Sequence, residues 1–186
     1  LNPQLSSYEV QKELGRGGMG VVYAARHRQS RTEVVIKLML ARSPSPEALE
    51  RFRREALALA ALSHPSVVRI KELGEHEGRP FFVMERIFGS SLKERIEASI
   101  QNQGRVPPFD WTAKIFSELA SALAACHRQG ITHRDLKPEN IVIEDGSERP
   151  VLLDFGLVKR AAGADEKELE SLTKTGTMIG TPQYMA

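Results

Sequence analysis

A chain of 186 residues, 41% hydrophobic and 27% charged, is long enough to bury a core and too apolar to remain disordered. Its net charge of +2 gives no support to general nucleic-acid binding, and its one cysteine, Cys126, excludes an intrachain disulfide framework. No apolar run approaches the roughly 20 residues that span a bilayer, and the opening LNPQLSSYEV lacks the basic start and apolar core of a secretion signal. The expected setting is the reducing cytoplasm, with a membrane anchor left open for a longer parent protein.

The first forty residues read as strands: YEVQKELG alternates weakly, GVVYAARH begins β-branched and aromatic, and EVVIKLML is a strong apolar run. A helix follows over SPSPEALERFRREALALAALSHP, with Ser45 as cap, Pro46 in the first turn and His64-Pro65 as its end. Leu49, Phe52, Ala56 and Leu59 give it one apolar face. SVVRIKELGE and RPFFVMERI read as two more strands joined at HEG. After FGSS the chain turns helical. SLKERIEASIQ is short and amphipathic, and DWTAKIFSELASALAACHRQG is long, with Asp110 as expected cap and Gly130 as stop. Trp111, Ile115, Leu119, Leu123 and Cys126 fall on one face, read as core. Two short strands, NIVIE and PVLLD, precede a polar, Gly/Thr-rich stretch that reads as a long loop. No internal repeat is present.

Three features carry chemistry. The first is Gly15-x-Gly17-x-x-Gly20, followed by the β-branched Val21-Val22, which favours a strand over a helix. The glycines therefore sit at a hairpin bend, where backbone N–H groups can approach a polyphosphate; taken alone, the pattern is more often that of a plain glycine-rich hairpin. The second is Lys37 at the end of VVIK. On a buried face it needs an anion; at an edge it reaches water. Glu55, beside the apolar stripe of the following helix, is a candidate partner. The third is HRDLKPENIVIE, His133 to Glu144. Asp135 can accept a hydrogen bond from an alcohol, Lys137 can neutralise a phosphoryl group, and Asn140 offers a hard oxygen suited to Mg²⁺. Asp154, in LLDFG, supplies a carboxylate for the same metal, and Gly156 lets the chain turn. A base and two Mg²⁺ ligands are what in-line phosphoryl transfer from a nucleotide requires.

In this order the motifs resemble those of a protein kinase. GRGGMGVV is similar to the Gly-rich loop, VVIK to the strand-lysine motif, HRDLKPEN to the catalytic loop, DFG to the metal-binding motif and GTPQYMA to the end of the activation segment. The resemblance runs from about Tyr8 to Ala186 and implies an α+β, two-lobed fold. The N-lobe, 1–86, would be an antiparallel sheet with one helix; the C-lobe, 87–186, would be mainly helical and incomplete. It implies ATP and Mg²⁺ as cofactors. Lys37, paired with Glu55, would contact the phosphates, Asp135 would be the catalytic base and Lys137 would sit by the γ-phosphate. Asn140 and Asp154 would hold Mg²⁺. Gly15, Arg16, Gly17, Gly18 and Gly20 would cover the phosphates. Val22, Val35 and Val142 would flank the adenine, with Met84 as gatekeeper and Glu85 to Ile87 as hinge. Leu59, Ile70, His133 and Phe155 would form an apolar spine.

Lys137 and GTPQY, with Thr181, resemble serine/threonine kinases, and RGGMGVVY with TKTGTMIGTPQYMA resembles the bacterial Hanks-type group. That likeness implies protein substrates phosphorylated on Ser/Thr, and autophosphorylation in trans at Thr173 and Thr175, with Thr177 a lesser third. Arg134 would hold the phosphorylated loop. Three departures stand out. Val35 replaces the usual alanine and is expected to weaken ATP binding. The chain ends before the Pro-Glu of the family's closing motif, which reads as a truncated catalytic domain with part of the long helix uncovered. Asp165, Glu166, Glu168 and Glu170 form a solvated face or short helix, or else occupy the Arg134 site before phosphorylation. The competing functions are a non-catalytic ATP-binding or scaffolding fragment and a small-molecule phosphotransferase, the latter disfavoured by the Gly-rich loop and GTPQY.

Overall fold

Alternation and β-branching in the first third of the chain produce strands where the pattern places them. The computed structural model describes residues 3–17, 20–40, 46–133 and 135–155. Gly18, Arg134, Gly156, the acidic stretch from Asp165 and the threonines 173, 175, 177 and 181 lie outside the described residues, as does the expected Lys37–Glu55 ion pair. The described residues form two compact units. One holds the described chain up to Ala61 together with Arg69–Arg86; the other holds Leu62–Val68 together with residues 87–155.

The first unit opens with a single turn, α1 (Pro3–Ser6). A five-stranded antiparallel sheet follows: β1 (Tyr8–Gly17), β2 (Gly20–His27), β3 (Glu33–Met39), β4 (Ile70–His76) and β5 (Arg79–Glu85), ordered β1-β2-β3-β5-β4. β4 and β5 meet at Glu77-Gly78, both at positive φ (51° and 73°), the backbone that a two-residue hairpin of matching twist requires. Tyr8, Ala25, Val34, Ile36, Phe81 and Val83 pack into one buried cluster. The sheet curls enough for Tyr8 Oη on one edge strand to donate to Glu72 Oε2 on the other, at 2.5 Å. Burial, and then the Glu72 carboxylate, push the Tyr8 phenol well above its ordinary value. Helix α2 (Pro46–Ala61) packs on β4 with Ala56 and Leu59 buried.

α2 stops three residues earlier than the His64-Pro65 signal predicts, and β4 starts four residues later than SVVRIKELGE suggests. The reason is one segment. Ser66–Val68 pairs with β8 (Pro150–Leu152) of the second unit: the Leu152 N–H donates to Ser66 O at 2.9 Å, and the Val68 N–H to Leu152 O at 3.0 Å. The Arg149 guanidinium, bidentate on Glu144, also donates to Pro65 O, and His64 Nε2 lies 3.2 Å from Ser121 Oγ. An apolar run that reads as one strand is thus divided between two units.

The second unit carries β6 (Gly89–Ser91), α3 (Leu92–Gln103), α4 (Phe109–Arg128), a 3-10 turn at Pro138–Asn140, β7 (Ile141–Glu144) and β8, with sheet order β6-β7-β8. β6 is polar and has no strand pattern. It exists because Gly89 lets two backbones touch: a Cβ there would fall 2.0 Å from Ile143 O. Ser91 then closes a capping box on α3, its Oγ accepting from the Glu94 N–H (3.1 Å) while Glu94 Oε2 accepts from the Ser91 N–H (2.7 Å).

Asp110 is not the cap of α4. That position falls to Pro108, with no side-chain cap bond, and Asp110 sits in the first turn, where its charge suits the helix dipole. Gly130 does end the helix, at φ +70°, with its N–H on His127 O and that of Ile131 on Cys126 O, a Schellman closure. Ile115, Leu119, Ala122 and Cys126 are buried, and α4 packs on β8. Trp111 and Leu123, expected in the core, are only half-buried, while Phe109 and Phe116 are 84% and 63% exposed off the buried stripe. Among the described residues no helix is long and apolar enough to cross a membrane.

Candidate active site

In the first unit the site is a matter of strand register. Val22 lies opposite Lys37 and Lys37 opposite Phe82; two residues along, Ala24, Val35 and Met84 line up in the same way. Side chains alternate along a strand, so Val22, Val35, Lys37 and Met84 share one face. Gly15 pairs with Val22 and Gly17 with Gly20, which brings the glycines onto that same face, with an irregularity between Glu13 and Gly15. Gly20 is glycine for packing, since a Cβ there would stand 3.0 Å from Leu38 O. Gly15 has no such reason. Its φ is not positive, and nothing described lies within 4 Å of where a Cβ would be. The bare backbone at Gly15 borders open space on the lysine's face.

Arg16 pairs with Val21 and so points to the opposite face, where its guanidinium grips Glu13 at 3.0 and 2.6 Å. That contact holds the Glu13 carboxyl below its usual range. Glu85 gives its N–H to Arg69 O at 3.0 Å, and its side chain accepts the Arg69 N–H at 2.9 Å. Its N–H is therefore already engaged. Lys37 is half-buried.

In the second unit the site is built by named polar contacts. Asn140 is 8% exposed and donates Nδ2–H to Asp135 twice, to the backbone O at 2.8 Å and to Oδ2 at 3.1 Å. Lys137 Nζ stands 3.4 Å from the same Oδ2. The amide nitrogen of Asn140 is thereby turned toward Asp135, which orients its oxygen away, the orientation a metal ligand needs. The backbone of Asn140 accepts the Leu153 N–H at 2.8 Å, and His133 Nε2 lies 2.7 Å from Leu153 O.

Leu153 is thus held at both its backbone groups, and Asp154 follows it directly. Asp154 adopts φ +52°, a left-handed backbone that aspartate tolerates better than most residues and that recurs at functional sites. A carbonyl can only accept, so His133 carries its proton on Nε2. Its Nδ1 then receives the Asp135 N–H at 3.4 Å, and its ring packs on Phe155 at 4.6 Å. Val142 is half-buried in the middle of this unit's sheet, opposite Ser91 and Val151. Ile87 is half-buried at the start of the same unit.

The sequence reading thus finds Asp135, Lys137 and Asn140 brought together, with Asp154 tied to them through Leu153. It missed the Lys93–Glu139 ion pair at 3.2 Å, which fastens α3 to the catalytic loop. It also missed the cluster of Arg95, Trp111 and Glu148. Neither had a sequence signal, because each depends on where a turn lands on a helix. Asn140 and Asp154 offer one amide oxygen and one carboxylate, a hard donor set that fits Mg²⁺ completed by phosphate oxygens. Among the described residues no three of His, Cys, Asp and Glu gather into a metal cluster.

Comparison with known proteins places the chain in a family. The protein kinase domain profile matches residues 8–186. The chain is 37% identical over 183 residues to a probable serine/threonine-protein kinase, pknA2, of Bifidobacterium longum, covering 96% of this chain and 23% of that protein. It is 40% identical over 180 residues to the serine/threonine-protein kinase PknH of Mycobacterium bovis, covering 96% and 28%. Among solved structures it resembles the apo form of PpkA-294, with TM-score 0.71 and 28% identity, over 88% of this chain and 63% of the other. The chain spans about a quarter of the length of these two curated relatives. With the HRDLKPEN, DFG and glycine-hairpin motifs in the family's order, and a profile match over nearly all its length, this chain belongs to the protein kinase family.

Proposed function

We propose that this domain transfers the γ-phosphoryl group of ATP to serine and threonine hydroxyls of proteins, including a second copy of itself at Thr173 and Thr175. The observation that carries the reading is the double hydrogen bond from Asn140 to Asp135, with Leu153 clamped beside it. It gives the base, a metal ligand and Asp154 one shared frame. Mg-ATP, when bound, supplies the phosphoryl group and the divalent charge that offsets it. Asp135 then accepts the hydrogen bond of the attacking hydroxyl and takes its proton as the new O–P bond forms and the bond to the ADP oxygen breaks. Lys137, within reach of Asp135, neutralises charge building on the transferred group. Asn140 and Asp154 hold the metal through oxygen.

Lys37 holds the α- and β-phosphates with Glu55 as its partner, and Gly15, Gly17, Gly18 and Gly20, with the Arg16 backbone, cover them. Val22, Val35 and Val142 flank the adenine beside Met84, and the hinge from Glu85 to Ile87 supplies backbone groups. The Glu85 N–H is already engaged by Arg69 O. A reducing, cytoplasmic setting, with any membrane anchor elsewhere in the parent protein, fits the single buried cysteine.

The test is mass spectrometry of the purified chain after incubation with Mg-ATP, beside Asp135→Asn. Phosphate on Thr173 or Thr175 of the wild type alone is the expected result. Soluble, monomeric protein that acquires no phosphate would favour a non-catalytic ATP-binding or scaffolding role.

A further inference from the structure

The second unit contains a cleft of about 500 Å³ that none of the phosphoryl-transfer residues lines. Its walls are α3, the connection that follows it and the first turn of α4, with Glu148 reaching in from the β7–β8 turn. Its volume is in the range of ligand-binding pockets.

One wall is pre-arranged. Trp111 donates its indole N–H to Glu148 Oε2 at 2.7 Å, Arg95 is ion-paired to the same carboxylate, and the Arg95 guanidinium lies 5.9 Å from the Trp111 ring centroid. The Trp111 hydrogen bond and the Arg95 charge hold the Glu148 carboxyl below its usual range, so it stays ionised and keeps both groups in place. Glu148 adopts φ +55°, so the turn is bent to deliver this side chain. Together with Pro107 and Pro108 the indole forms an apolar, rigid surface.

Arg105 adds a further cation to the lining. Among the described residues the Arg105 guanidinium makes one long hydrogen bond, 3.4 Å, to the neutral Gln103, and pairs with no carboxylate. Its backbone is nonetheless fixed, because Ser99 Oγ donates to Arg105 O at 2.9 Å. With Glu148 engaged by Arg95 and Trp111, Arg105 is a cation of the lining that no described carboxylate offsets.

We propose that this cleft docks an extended, acidic peptide segment of a protein partner. A proline or leucine would lie on the Trp111 and Pro107 surface, and a glutamate or aspartate would meet Arg105. A rigid wall of tryptophan and prolines suits an extended or polyproline-like chain, whose ordering cost is small. The Arg105 charge selects the carboxylate. The proposal is independent of catalysis by this chain.

Trp111 is the single tryptophan of the sequence, so its fluorescence reports on this cleft directly. The chain is titrated with a capped peptide carrying Glu-Pro-Leu-Glu and with its Lys-Pro-Leu-Lys counterpart. A saturable change is expected for the first, with at least tenfold weaker binding of the second. Arg105→Glu should weaken the acidic peptide by about tenfold or more with the far-UV spectrum unchanged, and Arg105→Lys should retain most of the binding. Arg105→Gln gives the same reading should the charge reversal impair folding. The proposal is overturned by an absence of saturable change, by equal binding of the two peptides, or by indifference to every Arg105 substitution. Free glutamate binding as tightly as the peptide would overturn it too, by making the site one for small carboxylates. None of these results depends on phosphate transfer, so failure here leaves the kinase reading standing, and a chain without activity leaves this one.

Discussion

Lys37 and Asp135 are both charged groups held partly out of water, and the two units fix them by different means. Lys37 is set by strand register: five antiparallel strands determine its face, and its neighbours Val22, Val35 and Met84 follow from the same pairing. Asp135 stands outside any strand or helix. Its position comes from Asn140, Lys137 and His133, each through a hydrogen bond or ion pair that can be named. A sheet distributes the work of positioning over many backbone bonds, whereas a loop concentrates it in a few side chains. The loop should therefore be the more sensitive to single substitutions, in stability as well as in chemistry.

The largest effect expected is on the reaction. Asp135→Asn should lower phosphoryl transfer by about 10²–10⁴-fold, the usual worth of a positioned general base. Single-turnover transfer to a Ser/Thr peptide measures it. A loss below tenfold would remove Asp135 from the role of base.

The comparison itself is tested by a pair. His133→Ala should cost about 3 kcal/mol, since it removes a buried ring and leaves the Leu153 carbonyl without its donor. Lys37→Met should cost less than about 1 kcal/mol, because the strands hold their register without it. Urea denaturation of both variants decides the matter, and equal losses would break the contrast drawn between loop and sheet.

Val35 sharpens the sheet side of the comparison. It is 9% exposed on the Lys37 face, so Val35→Ala should destabilise by about 2 kcal/mol for two lost methyl groups. On the proposed reading, the same change should tighten ATP binding. Calorimetry and a nucleotide titration separate the two, and unchanged affinity would show that Val35 does not crowd the adenine.

The smallest effect lies at the cap of α3, where Ser91→Ala should cost about 1 kcal/mol. It also has a pH signature. The backbone and then the side chain of Ser91 hold the Glu94 carboxyl below its ordinary value. That contribution is complete above the usual glutamate range and is lost as pH falls through the depressed folded value. The variant should therefore lose less stability on acidification than the wild type. Parallel acid profiles would show that Glu94 gains nothing from the Ser91 side chain.

Much of the site was legible because its chemistry is local. Asp135, Lys137 and Asn140 fall within six residues, and a short loop has few ways to keep them apart. The strands β2 and β3 were legible because β-branched runs bounded by turns leave little choice of structure. Other parts were not legible. Ser66–Val68 carries the same apolar signal as β4, yet its hydrogen bonds go to Leu152. β6 has no apolar residue and exists through the missing side chain of Gly89. Asp110 looks like a cap by residue type, but Pro108 takes the position.

By itself, then, the sequence determined the kinds of element, the motif order and which residues are candidates for the site, since these rest on residue type and short spacing. Only the tertiary structure decided how Asp154 is tied to the catalytic loop, which tautomer His133 adopts and where Arg95, Trp111 and Glu148 meet. Each of these joins residues from separate elements through a few hydrogen bonds, ion pairs or ring contacts. Such contacts depend on the register of distant backbones, and no local pattern of side chains encodes that register.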